Sequence, residues 1–252
     1  MTKSSERAVA IVTGGSRGIG RACACILAAR GLAVVVNYVS DQKAADHVVS
    51  DIIAAGGHAV AVKGDVGVEA DVMAMFKAAD HLGRLSVLIN NAGVVDAVAR
   101  VDEMSVERLT RMMSINIIGT IIPSREAVRR MSTKHGGQGG AIVNLSSAAA
   151  KLGSPGMYVD YAAAKGAIDT FTLGLAREVA AEGIRVNAVR PGLIDTDIHA
   201  SGGVPDRIEQ LRHQIPMKRE GSAEEVAQAV CWLASDEASY ATGAVLDVTG
   251  GR

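Results

Sequence analysis

The sequence is poor in cysteine and in aromatic residues, and it has no long run of apolar residues. Its 252 residues include three cysteines, one tryptophan, four tyrosines and two phenylalanines. An odd number of cysteines without a spacing framework argues against a disulfide scaffold and favours a reducing compartment. So few aromatic rings exclude a stacking platform for single-stranded nucleic acid. Because no stretch reaches about 18 apolar residues, we expect no transmembrane helix and no membrane partner.

An excess of charge of one sign is also absent. Lysine and arginine number 26 against 27 acidic residues, so no bulk field attracts nucleic acid. The polar start, MTKSSER, lacks the layout of a signal peptide. Hydrophobic residues make up 48% of the chain, which suffices for a large core and excludes a disordered protein. We therefore expect a cytoplasmic globular protein with a single domain over residues 1–252.

Short runs rich in valine and isoleucine alternate with segments of helical periodicity. The predicted strands are 8–13, 33–38, 58–62, 86–90, 140–146, 184–190 and 244–248. The predicted helices are about 18–30, 42–55, 69–82, 103–131, 158–181 and 222–234. Such alternation is typical of βαβ units with right-handed crossovers. The pattern predicts an α/β fold, a single doubly wound Rossmann-type domain with a seven-stranded parallel sheet flanked by helices.

A glycine-rich segment stands where the first predicted strand ends and the first helix begins. It reads Thr13-Gly14-Gly15-Ser16-Arg17-Gly18-Ile19-Gly20. Glycines let the backbone approach a pyrophosphate, and a helix N-terminus attracts its charge. The spacing G-x-x-x-G-x-G differs from the G-x-G-x-x-G fingerprint and alone would also fit a plain turn. Its position after the first strand favours a dinucleotide-binding loop.

The end of the second predicted strand selects the form of the dinucleotide. NAD sites place an acid there to bind the ribose 2′-hydroxyl, whereas this strand ends in Asn37 and Tyr38. Asp41 lies further on and is expected to open the next helix, with Ser40 as its cap. Arg17 is either a ligand for a 2′-phosphate or a solvated surface residue. These residues predict that NADP(H) is preferred over NAD(H).

The third and fourth predicted strands also end in polar or small residues. Asp65 and Val66 follow the third strand, and Asp65 is either a ligand or a turn residue. The fourth strand ends in Asn90-Asn91-Ala92-Gly93, which suits a tight turn against a flat ring. Turn chemistry alone also favours asparagine and glycine.

A serine, a tyrosine and a lysine follow the fifth predicted strand. Ser146 and Ser147 end the strand, and Tyr161 and Lys165 are spaced to share one face of the next helix. A free tyrosine has a pKa near ~10, but a neighbouring ammonium stabilises the phenolate and lowers that pKa. The pair then becomes a proton shuttle, and a serine hydroxyl can hold the reacting oxygen.

Two further segments point to the same edge of the predicted sheet. Asn116 lies among isoleucines and methionines, either as a satisfied core amide or as a hydrogen-bond relay for Lys165. The sixth strand ends in Pro191-Gly192, followed by Leu193-Ile194-Asp195-Thr196. All of these motifs stand at carboxyl ends of parallel strands or close by, where open α/β sheets bind ligands.

With these motifs, the chain resembles the short-chain dehydrogenase/reductase family in its one-domain form, from about residue 8 to residue 251. The resemblance implies that Tyr161 is the general acid/base and that Lys165 lowers its pKa and binds the nicotinamide ribose. It implies that Ser147, the second serine of the pair, orients the substrate, with Ser146 as the alternative, and that Asn116 supports the proton relay. It places the adenine at Asp65 and the carboxamide end of the coenzyme at Ile194 and Thr196.

Within that family the chain is similar to 3-oxoacyl-carrier-protein reductases and bacterial glucose 1-dehydrogenases. The resemblance implies a small-molecule carbonyl or alcohol substrate, a homotetramer, and a variable loop over about 195–217 that covers the substrate. We expect no metal. The alternative is a non-catalytic dinucleotide-binding redox sensor on the same fold, against which an intact Ser147, Tyr161 and Lys165 set argues.

Overall fold

The computed structural model describes residues 7–196 and 207–252, in which seven parallel strands form one sheet. The strands are β1 (Ala8–Val12), β2 (Ala33–Tyr38), β3 (His58–Lys63), β4 (Arg84–Asn90), β5 (Gly140–Leu145), β6 (Ile184–Pro191) and β7 (Val245–Val248). Their order, β3-β2-β1-β4-β5-β6-β7, confirms the predicted doubly wound sheet. Residues 1–6 and 197–206, the latter within the predicted substrate loop 195–217, lie outside the described residues.

Helices cover both faces of the sheet. They are α1 (Gly18–Ala29), α2 (Gln42–Ala54), α3 (Glu69–Leu82), α4 (Val106–Met113), α5 (Gly119–Met131), α6 (Ala149–Leu152), α7 (Val159–Val179), α8 (Arg207–Leu211) and α9 (Ala223–Leu233). One core lies between the sheet and α1, α2 and α9. A second core lies between the opposite face and α3, α5 and α7. No helix within the described ranges is both long and apolar enough to span a bilayer.

The central strand shows why the sequence specifies this layering. Successive side chains of a strand point to opposite faces. In β1, Val9 and Ile11 enter the core under α3, α5 and α7, while Ala10 and Val12 enter the core under α1, α2 and α9. All four residues are fully buried, so neither face of β1 can carry a polar residue.

The predicted helix over 103–131 is interrupted in the structure. Ser105 caps α4, and its Oγ accepts a hydrogen bond from the Arg108 backbone N–H at 3.2 Å. A π-helical turn, Ser114–Ile118, then separates α4 from α5. The sequence predicts one continuous helix over 103–131, because a run of five residues is too short for hydrophobic periodicity to mark as a separate element. Such turns occur often at functional sites, and this one carries Asn116.

The strand order creates a crevice above β1 and β4. The chain builds β1, β2 and β3 outward in one direction and then returns to place β4 on the other side of β1. The connections leaving β1 and β4 therefore diverge at their carboxyl ends, which is where doubly wound sheets bind ligands.

Candidate active site

The loops that follow β1 and β4 are clamped together. The side-chain amide of Asn91 donates to the backbone oxygens of Thr13, at 2.9 Å, and Gly14, at 3.0 Å. The Thr13 hydroxyl oxygen accepts hydrogen bonds from the backbone N–H groups of Asn91 and Ala92, each at 2.9 Å. Thr13 thus positions both loops. It is the first residue of the glycine-rich segment, but the sequence alone does not show that it has this role.

Helix α1 presents its N-terminus at this crevice. Its N-cap is Arg17, and no side chain of the described residues caps it or places an acid in its first turn. A Cβ on Gly20 would lie 2.3 Å from the Gly14 oxygen, so only glycine lets the helix approach the loop this closely. Uncapped N–H groups at a helix N-terminus fit a pyrophosphate, and contacts of Ser16, Gly18 and Ile19 with a coenzyme stay a prediction.

The side chain of Asn37 is used within the protein. Its oxygen accepts from the Gly14 N–H at 3.2 Å, and its amide donates to the backbone oxygens of Val62 at 3.3 Å and Gly64 at 2.9 Å. The residue is 2% exposed. Asn37 therefore links the glycine loop to the end of β3, and any direct coenzyme contact by this residue stays a prediction.

The carboxylate nearest to the end of β2 belongs to the next helix. Asp41, not Ser40, is the N-cap of α2, and its Oδ1 accepts from the Ala44 N–H at 2.9 Å. The prediction of Ser40 as the cap was wrong, because the carboxylate itself reaches the helix N–H. Strand β2 ends at Tyr38, which is buried, while Ser40 and Arg17 are exposed on the surface around the crevice.

The end of β3 forms a tight turn. Asp65 Oδ1 accepts from the Gly67 N–H at 2.8 Å, and Asp71 Oδ2 accepts from the Asp65 N–H at 2.9 Å. Asp65 is therefore a turn residue, and its Oδ2 makes no hydrogen bond to the described residues, which leaves it for a ligand. Val66 is 2% exposed and packs against Gly119, where a Cβ would lie 2.5 Å from its Cγ2.

The π-helical turn aims Asn116 at the loop that follows β4. Its oxygen accepts from the Val94 N–H at 3.1 Å, and its amide donates to the Val94 oxygen at 3.0 Å. A Cβ on Gly93 would lie 2.8 Å from Asn116 Oδ1 and 3.4 Å from Lys165 Nζ. Asn116 and Lys165 thus meet around Gly93 without a direct bond between them, and the predicted relay stays a prediction.

The two serines that follow β5 face different partners. The Ser146 hydroxyl donates to the Lys165 backbone oxygen at 3.2 Å, and the residue is 3% exposed. The Ser147 oxygen accepts from the Ala149 N–H at 3.1 Å, and Ser147 is only half-buried. The Ser147 hydroxyl therefore keeps its hydrogen for a ligand, while that of Ser146 is used on α7.

Tyr161 and Lys165 lie one turn apart on α7, as predicted. The Lys165 Nζ is 5.6 Å from the centroid of the Tyr161 ring and donates to the Leu145 oxygen at 2.6 Å. Burial lowers the pKa of Lys165 to about 8, and the negative charge of Asp169 opposes this shift. Because this value is above 7, Lys165 is mostly protonated at neutral pH. Its positive charge can therefore stabilise a negative charge on a neighbouring group.

These side chains line one cavity of about 390 Å³. The catalytic candidates Ser147, Tyr161 and Lys165 form one part of its wall. The other predicted coenzyme contacts that line it are Ile19, Asn91, Gly93, Pro191, Gly192, Ile194 and Thr196. An isolated parallel β-bridge joins Ile194 to Gly221. The structure therefore joins the predicted motifs of β1, β4, β5 and β6 in a single site.

Known proteins share this architecture over most of their length. A family model described as "Enoyl-(Acyl carrier protein) reductase" matches residues 14–252. An uncharacterized oxidoreductase of Escherichia coli K12, YgfF, is 55% identical over 97% of this chain and is itself fully covered. Glucose 1-dehydrogenase 2 of Bacillus subtilis is 39% identical over all of this chain and 96% of its own length.

A 3-oxoacyl-[acyl-carrier-protein] reductase of Synechocystis is 40% identical over 96% of both chains. Among solved structures, a short-chain dehydrogenase/reductase of Serratia marcescens superimposes with a TM-score of 0.88 at 35% identity, over 96% of both chains. These matches each cover at least 96% of this chain, so they describe almost its whole length.

Proposed function

Because the chain belongs to the short-chain dehydrogenase/reductase family, we propose that it interconverts a small-molecule carbonyl and its secondary alcohol with NADP(H). Membership makes the protein an oxidoreductase and implies a nicotinamide dinucleotide as its coenzyme. The observation that carries the proposal is the convergence of Ser147, Tyr161 and Lys165 on one cavity beside the glycine loop. The uncapped N-terminus of α1 supports a dinucleotide there.

The protein's part of the reaction is the handling of one oxygen and one proton. A bound nicotinamide dinucleotide supplies or accepts the hydride. In the direction of reduction, the Tyr161 hydroxyl donates its proton to the carbonyl oxygen, while the Ser147 hydroxyl donates a hydrogen bond to the same oxygen. The Lys165 ammonium stabilises the phenolate that remains on Tyr161. Oxidation of the alcohol uses the same groups in reverse.

The preference for NADP(H) rests on the surroundings of the ribose. An acid at the end of β2 would repel a 2′-phosphate, and this strand ends in Asn37 and Tyr38. Asp41 is committed to the cap of α2. Arg17 and Ser40 are exposed at the crevice and supply a cation and a hydroxyl for charge-assisted hydrogen bonds to a phosphate.

The described part of the cavity favours an apolar carbonyl compound over a sugar. Its substrate wall is mostly apolar: beside Ser154 and Tyr158 it contains Val95, Leu152, Pro155, Met157, Leu193 and Leu211. No described residue of the lining has a carboxylate side chain, and its cationic side chains are Lys165 and Arg252. Apolar walls leave sugar hydroxyls without partners. Of the two substrate classes expected from resemblance, 3-oxoacyl thioesters therefore fit better than glucose.

A substrate panel tests the proposal. Purified protein is mixed with NADPH and 3-oxoacyl thioesters, apolar ketones, aldehydes or α-keto acids, and with NADP⁺ and glucose, while the absorbance of NADPH is recorded. We expect turnover with apolar carbonyls, absent from the Tyr161→Phe variant. Tight NADPH binding without turnover on any compound would favour the redox-sensor alternative. Turnover confined to glucose would refute the proposed substrate class.

We also propose a homotetramer. Three large apolar or aromatic side chains near the C-terminus are exposed: Trp232 at 40%, Leu246 of the edge strand β7 at 38%, and Tyr240 fully. Association between copies of the chain would remove such surface from water. Light scattering at micromolar concentration tests the assembly, and a monomeric mass would exclude it.

A further inference from the structure

A buried ion pair lies next to the candidate proton donor. Arg108 of α4 donates from Nε to Asp160 Oδ2 at 2.8 Å and from Nη2 to Oδ1 at 3.2 Å. The Asp160 side chain is fully buried and that of Arg108 is 11% exposed. The hydrogen bond to Asp160 raises the pKa of Arg108, which keeps the guanidinium charged. Two parallel bonds fix the relative orientation of the two side chains.

The carboxylate of this pair also holds the backbone of Tyr161. Asp160 Oδ1 accepts from the Tyr161 N–H at 2.9 Å. This N–H belongs to the first turn of α7, whose N-cap residue, Tyr158, makes no side-chain cap. The carboxylate therefore satisfies a peptide group that the helix leaves open, on the residue that carries the phenol.

The Arg108 guanidinium also binds the loop between β4 and α4. Arg108 Nη1 donates to the Ala97 oxygen at 2.6 Å, in the loop between β4 and α4. That loop also donates from the Ala99 N–H to the Met157 oxygen at 3.2 Å, just before α7. Val95 of this loop and Met157 both line the cavity. One ion pair thus connects the substrate wall, α4 and the start of α7.

We propose that Arg108 and Asp160 are positioning residues that fix the Tyr161 phenol against the substrate oxygen. The inference rests on the proposed function, because it concerns the same site. Neither residue lines the cavity, so the pair acts through Tyr161 and through the Val95 loop. Its substitution is expected to lower kcat, since small displacements of a reacting group reduce turnover strongly. Coenzyme affinity should stay the same, because the glycine loop and α1 lie outside these contacts.

Helix α4 supplies a matched control. Arg111, one turn further on, pairs with Asp96 of the same β4–α4 loop. Arg111 is exposed at 52% and Asp96 is partly exposed at 27%, and within the described ranges neither side chain hydrogen-bonds to α7. Arg111→Met therefore removes an arginine from the same helix and an ion pair to the same loop, and leaves the start of α7 untouched.

The first experiment compares Arg108→Met, Arg108→Lys and Arg111→Met. For Arg108→Met we expect kcat to fall by about 10- to 100-fold, with NADPH affinity changed less than twofold. Arg108→Lys keeps the charge without the fork and should recover part of the loss. Arg111→Met should keep kcat within about twofold. Equal kcat in the Arg108→Met and Arg111→Met variants would overturn the inference.

The second experiment separates positioning from stability. Arg108→Met leaves an unpaired buried carboxylate and will lower the melting temperature. The double variant Arg108→Met/Asp160→Leu removes both charges and should regain most of that temperature. It still lacks the acceptor for the Tyr161 N–H, so kcat should stay low. Recovery of kcat together with the melting temperature would show that the pair only stabilises the fold.

Hydrogen exchange at the Tyr161 amide provides a readout that does not depend on turnover. In Arg108→Met we expect loss of protection at the amides of Tyr161 and Ala162, which donate to Asp160 Oδ1 and the Tyr158 oxygen, and unchanged protection in Arg111→Met. Absence of turnover by the wild type on every carbonyl would refute the proposed function, and the exchange result would still decide the ion pair's role. Unchanged protection in Arg108→Met would refute the positioning role even with an active wild type.

Discussion

The Lys165 ammonium nitrogen lies 5.6 Å from the centre of the Tyr161 ring, one turn along the same helix. It is held there by the Leu145 oxygen, at the end of β5. Helix α7 therefore sets the spacing between Tyr161 and Lys165, and strand β5 fixes the position of the Lys165 ammonium group. A neighbouring ammonium favours the ionised form of a phenol, which is the property that proton transfer at this position requires.

The Tyr161→Phe variant keeps the aromatic ring and removes the transferable proton. We expect turnover to fall by about 10²- to 10⁴-fold, the loss typical of a missing general acid/base. NADPH affinity, measured by fluorescence titration, should be unchanged. A variant that turns over nearly as fast as the wild type would exclude Tyr161 as the proton donor.

The two serines after β5 should separate in activity. Ser147→Ala removes a donor to the reacting oxygen, so kcat should fall by about 10²- to 10³-fold. Ser146→Ala removes only the bond to the Lys165 backbone oxygen and should cost less than about tenfold. Steady-state rates of both variants on the same carbonyl decide the assignment. The reverse order of losses would assign catalysis to Ser146.

The charge on Lys165 should limit activity at high pH. Since burial lowers its pKa to about 8, the lysine loses its proton as the pH rises through that value, and kcat/KM for reduction should fall there. Asp169→Asn removes the carboxylate that opposes this shift, so the alkaline limb should move to lower pH. Asp247→Asn is the control. The Asp247 carboxylate lies 3.3 Å from Arg190, which also pairs with Asp169, so Asp247 is one ion pair further from Lys165 than Asp169 is. Asp247→Asn should therefore move the alkaline limb less. An alkaline limb that Asp169→Asn leaves in place would contradict this electrostatic role.

Coenzyme preference should depend on Arg17. A charged hydrogen bond contributes about 1.5–3 kcal/mol, which corresponds to about a ten- to hundredfold preference. Arg17→Ala should therefore weaken NADPH binding much more than NADH binding. Arg21→Ala is the control, because Arg21 lies on the next turn of α1 and pairs with Asp51 at 3.0 Å. Equal losses for both coenzymes, or tighter NADH binding by the wild type, would show that Arg17 does not read the 2′-phosphate.

Two glycine substitutions should have opposite effects on stability. A Cβ on Gly20 would lie 2.3 Å from the Gly14 oxygen, so Gly20→Ala should lower the free energy of unfolding by about 1–3 kcal/mol and weaken coenzyme binding. A Cβ on Gly166, inside α7, would meet nothing within 4 Å. Because alanine is more favourable than glycine inside a helix, Gly166→Ala should raise the free energy of unfolding by about 0.5–1 kcal/mol. Urea titrations of both variants measure these changes. A destabilised Gly166→Ala or an unaffected Gly20→Ala would refute the close contact at Gly20 and the open space at Gly166.

Much of the fold follows from local sequence patterns. Strand β1 and helix α1 appear within one or two residues of their predicted ends, because buried apolar runs and glycine punctuation are local signals. The π-helical turn at Asn116 and the cap at Asp41 were not predicted. Both depend on where a polar side chain finds its partner: the loop after β4 for Asn116, the first turn of α2 for Asp41.

The site was predictable as a set of motifs and less so as a set of contacts. The spacing of Tyr161 and Lys165 already places them on one helix face. The use of Asn37 between the glycine loop and β3 depends on tertiary contacts more than 20 positions away. The pairing of Arg108 with Asp160, 52 positions apart, leaves no trace in the periodicity of either helix.

The position of β1 between β2 and β4 affects how the sheet can form while the protein is being synthesised. The glycine loop is synthesised early, but Asn91, which clamps it, follows 77 positions after Gly14. Until β4 is made, one edge of β1 has no partner strand, and the glycine loop lacks its hydrogen bonds to Asn91. Parallel sheets built from such distant pairings form slowly, and exposed strand edges recruit other chains. Ribosome-bound fragments that end before β4 should therefore require chaperone protection and should not retain dinucleotide.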